Sequence, residues 1–309
     1  MQKTNEKNEM KATNETSETK VEKMGEVIKN AMFAKIIVGA RNSNLNGDPD
    51  DEGRPRQDAY DQHGKATNVS FNAKIRKYVM DVYGGVDGLD IFCRRGRISN
   101  NTIEEAWEEK EVKKLPEKEQ KMAAQKSLLK RFWDNRVMGM VLDTGKKGRR
   151  AGKVTGPVQL ETFRSVDPIC ITDECITRQF VANEKDEEKE QTMGNKSYVP
   201  FAAYQGTVSI SPFEANRTGA TEDDLKLYWE AWQKMFQMNV SSSRPMVEVM
   251  ALVLFKSSTN HLHQRKSELD RMVQAVKKEG VKYPTDFTDY DIIIDTSNLH
   301  EEMEVIRIV

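Results

Sequence analysis

The folded part of the chain opens with a short apolar run and a long irregular segment, and few fold classes begin in this way. Residues 33–40, FAKIIVGA, are apolar and rich in β-branched side chains, which predicts a buried strand. Residues 41–68 are dense in Gly, Pro, Asn and Asp without hydrophobic periodicity, which predicts a long loop. Loops longer than about 12–15 residues are usually functional or disordered. This loop is therefore the first candidate for function.

The rest of the chain alternates between helix and strand patterns. After the loop, an apolar stripe predicts a helix that is capped by Asn68 or Ser70 and closed by Gly84-Gly85. Further helices are predicted over 101–134 with a break at Pro116, over 221–238 behind a Thr221 cap, and over 265–280. Strands are predicted over 137–142, 157–171, 174–183, 198–211, 246–255 and 290–296. The pattern indicates an α+β or α/β fold with long insertions, opening as a ferredoxin-like unit does.

The first thirty residues differ from the rest. They contain six Lys and six Glu among Asn and Thr, with almost no apolar side chains. Such a segment cannot bury enough surface to offset its ordering entropy. We therefore predict a disordered tail over 1–30, with a short helix at 21–29 at most, and a folded region over 31–309.

Composition excludes several classes of protein. Of 309 residues, 48 are basic and 49 acidic, so the chain is not a uniformly basic nucleic-acid coat. The longest apolar run, 246–255, contains Glu248 and is far shorter than the roughly 20 residues that cross a bilayer. The sequence shows no secretory signal, so we expect a cytoplasmic protein without membrane contact. Three cysteines, Cys93, Cys170 and Cys175, indicate free thiols rather than a disulfide framework.

The neutral total hides a segregation of charge. Between Lys126 and Arg164 there are ten basic and three acidic residues, while the acidic excess lies in 101–119 and 184–191. Glycines are interspersed in the basic loop 143–156, and bare backbone amides can approach phosphates closely. This layout favours a basic channel for a polyanion, although a solvated loop without ligand explains a KKGRR run about as well.

The sequence contains no recognisable set of catalytic residues. His261 and His263 lack further ligands at metal spacing, and no phosphate-binding loop, dinucleotide fingerprint or nucleophile elbow is present. Asp48, Asp50 and Asp51 could coordinate a divalent cation. An Asn-Gly-Asp-Pro sequence more often forms a turn, which we favour here. We expect no cofactor and no metal.

Several strings in fixed order carry a family resemblance. They are NSNLNGDPDDEGRPRQD (42–58), VSFNAKIRKYV (69–79), FWDNRVMG (132–139), GKVTGPVQLETFRSVDPI (152–169), ITR (176–178), MGNKSYVPFAAYQG (193–206) and SSSRPMVEVMALVLF (241–255). Together they resemble the backbone subunit of type I CRISPR effector (Cascade) complexes, the "Cas seven" family of RAMP proteins, and most closely its type I-C and I-B branch. The resemblance covers about 33–260. Asn239 departs from it, because an acidic residue is expected before the serine-rich stretch.

The resemblance implies an architecture and a role. The expected fold is an α+β, RRM-like (ferredoxin-like) palm with an antiparallel sheet. Its insertions would form finger, web and thumb: a helical insert at about 85–135, the basic glycine loop 143–156 and a thumb hairpin at about 172–200. The expected role is a non-catalytic protein that polymerises along the spacer of the crRNA and presents it for pairing with a target DNA strand. Expected partners are other copies of itself, a guide-end cap, and large and small Cascade subunits.

The resemblance and the residue chemistry together give candidate contacts. A guide is gripped independently of its sequence, so contacts should go to phosphates and sugars. The RNA-binding candidates are Asn44, Asn46, Gly47, Arg54, Arg56, Ser70, Lys74, Arg76, Lys77, Arg164, Arg178, Met193 and Lys196, with Met193 as the wedge beside a displaced base. The DNA-binding candidates are Lys146, Lys147, Arg149, Arg150 and Lys153. We expect the basic side chains of the first helix and of the glycine loop to form one trough.

Alternatives stay open at this stage. The cations of the first helix could be solubilising surface charges, and Arg164 or Arg178 could pair with Asp167 or Glu161 in structural ion pairs. Related type III subunits cut target RNA with a loop aspartate and a metal, so Asp48 or Asp50 could act likewise. A stand-alone RNA-binding protein is the third interpretation.

Overall fold

The computed structural model describes residues 25–143, 149–178 and 192–309, and for 177, 178, 192 and 193 the backbone alone. The strands are β1 Met32–Ser43, β2 His63–Ala66, β3 Gly139–Leu142, β4 Gly152–Thr155, β5 Val158–Leu160, β6 Phe163–Pro168, β7 Thr172–Arg178, β8 Thr192–Ile210, β9 Met246–Ser257, β10 Val273–Lys277, β11 Tyr290–Ile294 and β12 Met303–Arg307. The helices are α1 Asn68–Tyr83, α2 Ser99–Glu108, α3 Lys110–Lys113, α4 Glu117–Arg131, α5 Trp133–Met138, α6 Pro212–Thr218, α7 Glu222–Met238 and α8 Lys266–Arg271.

The main sheet has a ferredoxin-like centre. Within the described ranges it contains eight strands in the order β12-β9-β1-β8-β6-β2, with β5 and β7 also paired to β8, and every pairing is antiparallel. Along the chain the central units run β1-α1-β6-β8-α7-β9. In the sheet these strands lie side by side in the order β9, β1, β8, β6, which are the fourth, first, third and second of them along the chain. This is the strand order of the split βαβ fold. The predicted α+β class with an RRM-like palm is confirmed.

The sheet carries a different core on each face. Ala34, Ile36 and Val38 of β1 face α1 and α7, where Phe71 and Trp232 are also buried. Phe163 of β6 lies 4.4 Å from the Phe71 ring and stacks at 5.7 Å on Trp232, centroid to centroid. Burying each such side chain contributes about 1.5–3 kcal/mol. This aromatic cluster fixes α1 and α7 on the sheet.

The opposite face of the sheet is covered by later elements. Phe33 and Ile37 of β1 point to this side and pack with Leu269, next to the β10–β11 ribbon. Because the ribbon and α8 cover part of this face, it differs from the open sheet face on which RRM proteins stack bases.

The helical insert after α1 has a small core of its own. Phe92, Trp107 and Phe132 pack there with Leu142 and Ala151, which belong to the β3–β4 hairpin. The insert thus extends past the expected boundary at 135 and includes the described ends of the glycine loop.

Three local predictions were wrong. The pattern over 265–280 forms α8 and then β10, because Val273 and Ala275 are buried with exposed neighbours, a period of two rather than 3.6. No helix is present at 25–29, where Val27 bridges to Thr221, and 1–24 lie outside the described residues. Ile28 is buried, so folding begins inside the segment predicted as tail.

Two helix starts show why the sequence folds as it does. α7 begins behind Thr221, as predicted, and the cap is a capping box, in which the Thr221 hydroxyl accepts from the Asp224 amide and the Asp224 carboxylate accepts from Thr221. α1 begins behind Thr67, whose hydroxyl accepts from the amide of Ser70, so neither Asn68 nor Ser70 is its cap. In the part of the chain that is described, no helix is long and apolar enough to cross a bilayer.

Candidate nucleic-acid interface

Lys74 is a buried cation on the apolar side of α1. It lies three residues after Phe71 and four before Tyr78, so the stripe that packs the helix also carries Lys74 inward. The residue is only 8% exposed, and Nζ donates to the Ser70 hydroxyl at 2.7 Å and the Ser70 carbonyl at 3.2 Å. No described carboxylate forms an ion pair with it. Burial, and secondly the positive charge of Arg244, lower the pKa of Lys74 to about 8.

Arg244 supplies a second cation beside Lys74. It lies in the loop between α7 and β9, where its backbone and that of Ser241 exchange hydrogen bonds of 2.9 and 3.3 Å. Its Nε is buried without a hydrogen-bond acceptor, and the guanidinium makes no ion pair with the residues that the structure describes. A buried ammonium with a half-buried guanidinium nearby, and no described carboxylate paired with either, is unfavourable unless an anion joins them. The arrangement suits a phosphate group.

The long loop after β1 is ordered by its own polar side chains. The Asn46 Oδ1 accepts from the amide and the hydroxyl of Thr67, both at 2.8 Å, and so ties the loop to the start of α1. Gly47 approaches the backbone of Gly53 so closely that a Cβ would lie 2.5 Å from the Gly53 carbonyl oxygen. The loop predicted from composition is therefore a fixed wall beside α1 rather than a disordered segment.

The turn interpretation of the Asn-Gly-Asp-Pro sequence is confirmed. Asp48 precedes a short 3-10 turn, Pro49–Asp51, and its Oδ1 accepts from the Asp50 amide at 3.2 Å. Its other oxygen accepts from Arg56 at 3.1 Å. Elsewhere in the described ranges, no group of three or more His, Cys, Asp or Glu could hold a metal ion. The three cysteines are exposed and unpaired, as expected.

A groove lies between this loop and the hairpin that β7 forms with β8. It has a volume of about 650 Å³ and is lined by residues 52–54, by residues of the hairpin, and by Ser242 and Ser243. Arg54 spans the groove and donates to Asp173 of β7 at 2.9 Å. Lys196 of β8 lies 5.1 Å from the Tyr198 ring. The hairpin predicted at about 172–200 is thus the second wall of the groove.

Two hairpin candidates can be placed by register alone. Met193 pairs with Thr177, and Arg178 pairs with Thr192, at the end of the described part of the hairpin. Their side chains lie outside the described residues.

Several predicted contacts are engaged elsewhere. Arg76 is 13% exposed, and its Nε donates at 2.9 Å to Asp134, which is fully buried. The same carboxylate accepts from the amides of Phe92 and Cys93, so Arg76 anchors the insert to α1. Lys77 pairs with Asp81. Both cations are paired with carboxylates in the free protein, and their contact with RNA stays a prediction.

Arg164 is also held by carboxylates. It pairs with Asp61 and lies 3.9 Å from Asp58, rather than meeting Asp167 or Glu161. Asp167 instead accepts from Tyr290 and Lys277 of the β10–β11 ribbon. The structural ion pair left open from the sequence exists, with different partners.

The basic hairpin of the insert lies in different surroundings from Lys74. Arg149 donates to Glu108 of α2 at 2.6 Å, and hydrogen bonds from Lys113 and Arg149 lower the pKa of Glu108. Arg150 and Lys153 are exposed, whereas Lys146 and Lys147 lie outside the described residues. Among described side chains, those of α1 and of the glycine loop contact different partners, and the expectation of one trough stays a prediction.

Sequence reasoning missed Arg244 as a site residue. The string SSSRPM contributed to the resemblance, but its arginine was not singled out. A signal was available, because an arginine between a serine run and a proline directly precedes a buried strand, with no carboxylate until Glu248. Only the fold shows that this arginine lies close enough to Lys74 for its charge to lower the pKa of the lysine.

Fold and site together define an α+β protein with a ferredoxin-like centre, in which Lys74 and Arg244 form no ion pair with the carboxylates that the structure describes. The model of the CRISPR-associated protein Cas7 family matches residues 30–295, and the chain belongs to this family. Comparison with curated proteins gives no match.

Three solved structures that the chain matches belong to CRISPR complexes. One is a CRISPR RNA-guided surveillance complex in a pre-nicking state (14% identity, TM-score 0.47, covering 73% of this chain and 78% of the other). Another is the type III-B Cmr-beta complex bound to cognate target RNA (10%, 0.41, 82% and 68%). A third is a further CRISPR RNA-guided surveillance complex (13%, 0.39, 72% and 68%).

Proposed function

We propose that this protein is a non-catalytic backbone subunit of a type I CRISPR effector. It binds crRNA, and several copies of it polymerise along the guide. The observation that carries the proposal is the buried Lys74 with the half-buried Arg244 close to it, neither of them paired with a described carboxylate. A phosphate is an anion that every nucleotide offers regardless of its base. A guide-binding subunit needs such sequence-independent contacts, and family membership supplies the context.

The proposal extends to assembly and partners. Copies would lie side by side along the spacer and hold its bases free for a target DNA strand. A guide-end cap, large and small subunits and a cytoplasmic location complete the proposal. Arg150 and Lys153 on the insert hairpin are the described candidates for contact with DNA, because both are exposed.

Binding of a labelled oligoribonucleotide tests the cation pair. Lys74→Met should weaken binding by about tenfold or more, because it removes a charge-assisted contact in a buried site. Lys77→Met is the matched control on the same helix, since Lys77 is already paired with Asp81, and it should change affinity less than twofold. Equal losses in the two variants would remove Lys74 from the site.

Assembly and the absence of cleavage need separate measurements. Light scattering with RNA in excess should show a mass that grows with RNA length, and a constant monomer mass would contradict the backbone role. RNA complementary to a bound guide should stay intact in Mg²⁺ or Mn²⁺. Cleavage that Asp48→Asn abolishes would establish an enzyme instead.

A further inference from the structure

We propose that Asn44 reads the ribose of the bound strand by accepting a hydrogen bond from a 2′-hydroxyl. The inference rests on the proposed function and concerns the groove between the loop after β1 and the β7–β8 hairpin. Asn44 lines this groove, and only 8% of its surface is exposed.

The amide of Asn44 has a fixed orientation. Its Nδ2 donates to the carbonyl oxygens of Gly53 at 2.7 Å and Ser197 at 3.4 Å, and its backbone amide donates to the carbonyl of Ser243 at 2.7 Å. Carbonyl oxygens only accept, so the NH₂ group must face Gly53 and Ser197. The Asn44 Oδ1 consequently faces away from both.

That oxygen has no donor. The Asn44 Oδ1 is buried and makes no hydrogen bond among the residues that the structure describes. Asn46, two residues later in the same loop, differs in this respect, because its Oδ1 accepts twice from Thr67. An acceptor that is buried and unmatched in the free protein is available to a ligand that brings a donor into the groove.

The chemistry of the groove selects the kind of donor. Its lining has three carboxylates, Glu52, Asp173 and Glu174, and two cations, of which Arg54 is paired with Asp173, so among the lining residues only Lys196 is left for a phosphate. Phosphates have a better position at Lys74 and Arg244, next to Ser243. On a nucleic-acid strand the remaining donors are ribose hydroxyls and the N–H groups of bases.

A ribose hydroxyl is the donor that fits sequence-independent binding. Base N–H groups differ between nucleotides, whereas every ribonucleotide carries a 2′-hydroxyl and no deoxyribonucleotide does. Asn44 would therefore distinguish a guide RNA from DNA without reading its sequence. A site built around a hydroxyl loses affinity for the analogue that lacks it, because the buried acceptor is then left unmatched.

The test compares three 30-nucleotide strands of one mixed sequence: RNA, 2′-fluoro RNA and DNA. The 2′-fluoro strand keeps a ribose-like sugar pucker but cannot donate. The wild-type protein should bind 2′-fluoro RNA about five- to tenfold more weakly than RNA. Asn44→Ala should bind RNA and 2′-fluoro RNA equally.

Asn46→Ala is the matched control, because the Asn46 oxygen is satisfied within the protein. It should keep the wild-type ratio between RNA and 2′-fluoro RNA even where both affinities fall. Asn44→Leu, of similar volume, replaces Asn44→Ala if the latter does not fold. Equal affinity of the wild type for RNA and 2′-fluoro RNA overturns the inference and leaves the proposed function intact. A protein that binds none of the strands overturns both.

Discussion

The buried ammonium of Lys74 should link RNA binding to proton uptake. In the free protein its pKa is about 8, against 10.5 for an unperturbed lysine, because burial and Arg244 disfavour the charge. A phosphate placed against Nζ favours the charged form and raises the pKa again. Between these two values the complex holds more protons than the free protein. Affinity must therefore fall as pH rises through this range.

The size of the effect follows from the lowered pKa of Lys74. With a value of about 8, roughly nine-tenths of the free molecules carry the charge at pH 7 and roughly one-tenth at pH 9. If the pKa in the complex stays above this range, the apparent dissociation constant rises about tenfold from pH 7 to pH 9, which is about 1.4 kcal/mol.

Fluorescence anisotropy at constant ionic strength measures this dependence. The strand contains adenosine only, since adenine neither gains nor loses a proton in this range. The series uses a Cys175→Ser background, because the Cys175 thiol lines the groove. Lys74→Arg keeps its charge throughout and should bind with little pH dependence. Lys77→Arg should keep the full slope. A flat wild-type profile, or one equal to that of Lys74→Arg, would refute the linkage.

Three further predictions concern stability, measured by urea unfolding. Lys74→Met should stabilise the fold by about 1–3 kcal/mol at pH 7, because burying the charged lysine destabilises the folded state of the wild type. This destabilisation is full below pH 8 and disappears as pH rises from about 8 to 10.5. A loss of stability in the variant would contradict the burial argument. Asp134→Ala should destabilise by about 3–5 kcal/mol, since it leaves the buried Arg76 without its carboxylate; a change below 1 kcal/mol would show that the pair does not anchor the insert. Gly206→Ala should destabilise by about 1–3 kcal/mol, because its Cβ would overlap the Phe163 ring, and an unchanged midpoint would mean that the ring can move.

Elements with strong periodicity could be predicted from the sequence. The eight residues of 33–40 lie within β1, and α7 begins behind its Thr221 cap, because both signals are local. The prediction of one helix over 265–280 was wrong, because RKSELDRM begins as a helix and VQAVK continues as a strand. The hydrophobic period changes from 3.6 to two residues within this short stretch. Such a boundary is decided by packing on the sheet rather than by propensity.

The candidate site could be predicted only in part, because a charge and its partner are often far apart in the sequence. Lys74 was identified from its helix, but Arg244 is 170 positions away and meets it only in the fold. Arg76 looked equivalent to Lys74 until Asp134, 58 residues later, was found beneath it. Sequence shows where cations are dense, whereas the structure shows which of them lack a carboxylate.

This distinction between dense and unpaired charge predicts the salt dependence of RNA binding. Eight basic side chains were RNA-binding candidates, and eight phosphate contacts on a single strand would give a slope of log K against log salt of about −5.6. Most of the eight, including Arg54 and Arg56, pair with described carboxylates. Lys74, Arg244 and Lys196 have none among the described residues, and the Arg178 side chain lies outside them. Three or four contacts per copy give a slope of about −2 to −3. A titration from low to high salt with a strand short enough for one copy measures it. A slope steeper than about −5 would mean that RNA breaks the ion pairs seen in the free protein, and the assignment of Arg54 and Arg56 to architecture would then be wrong.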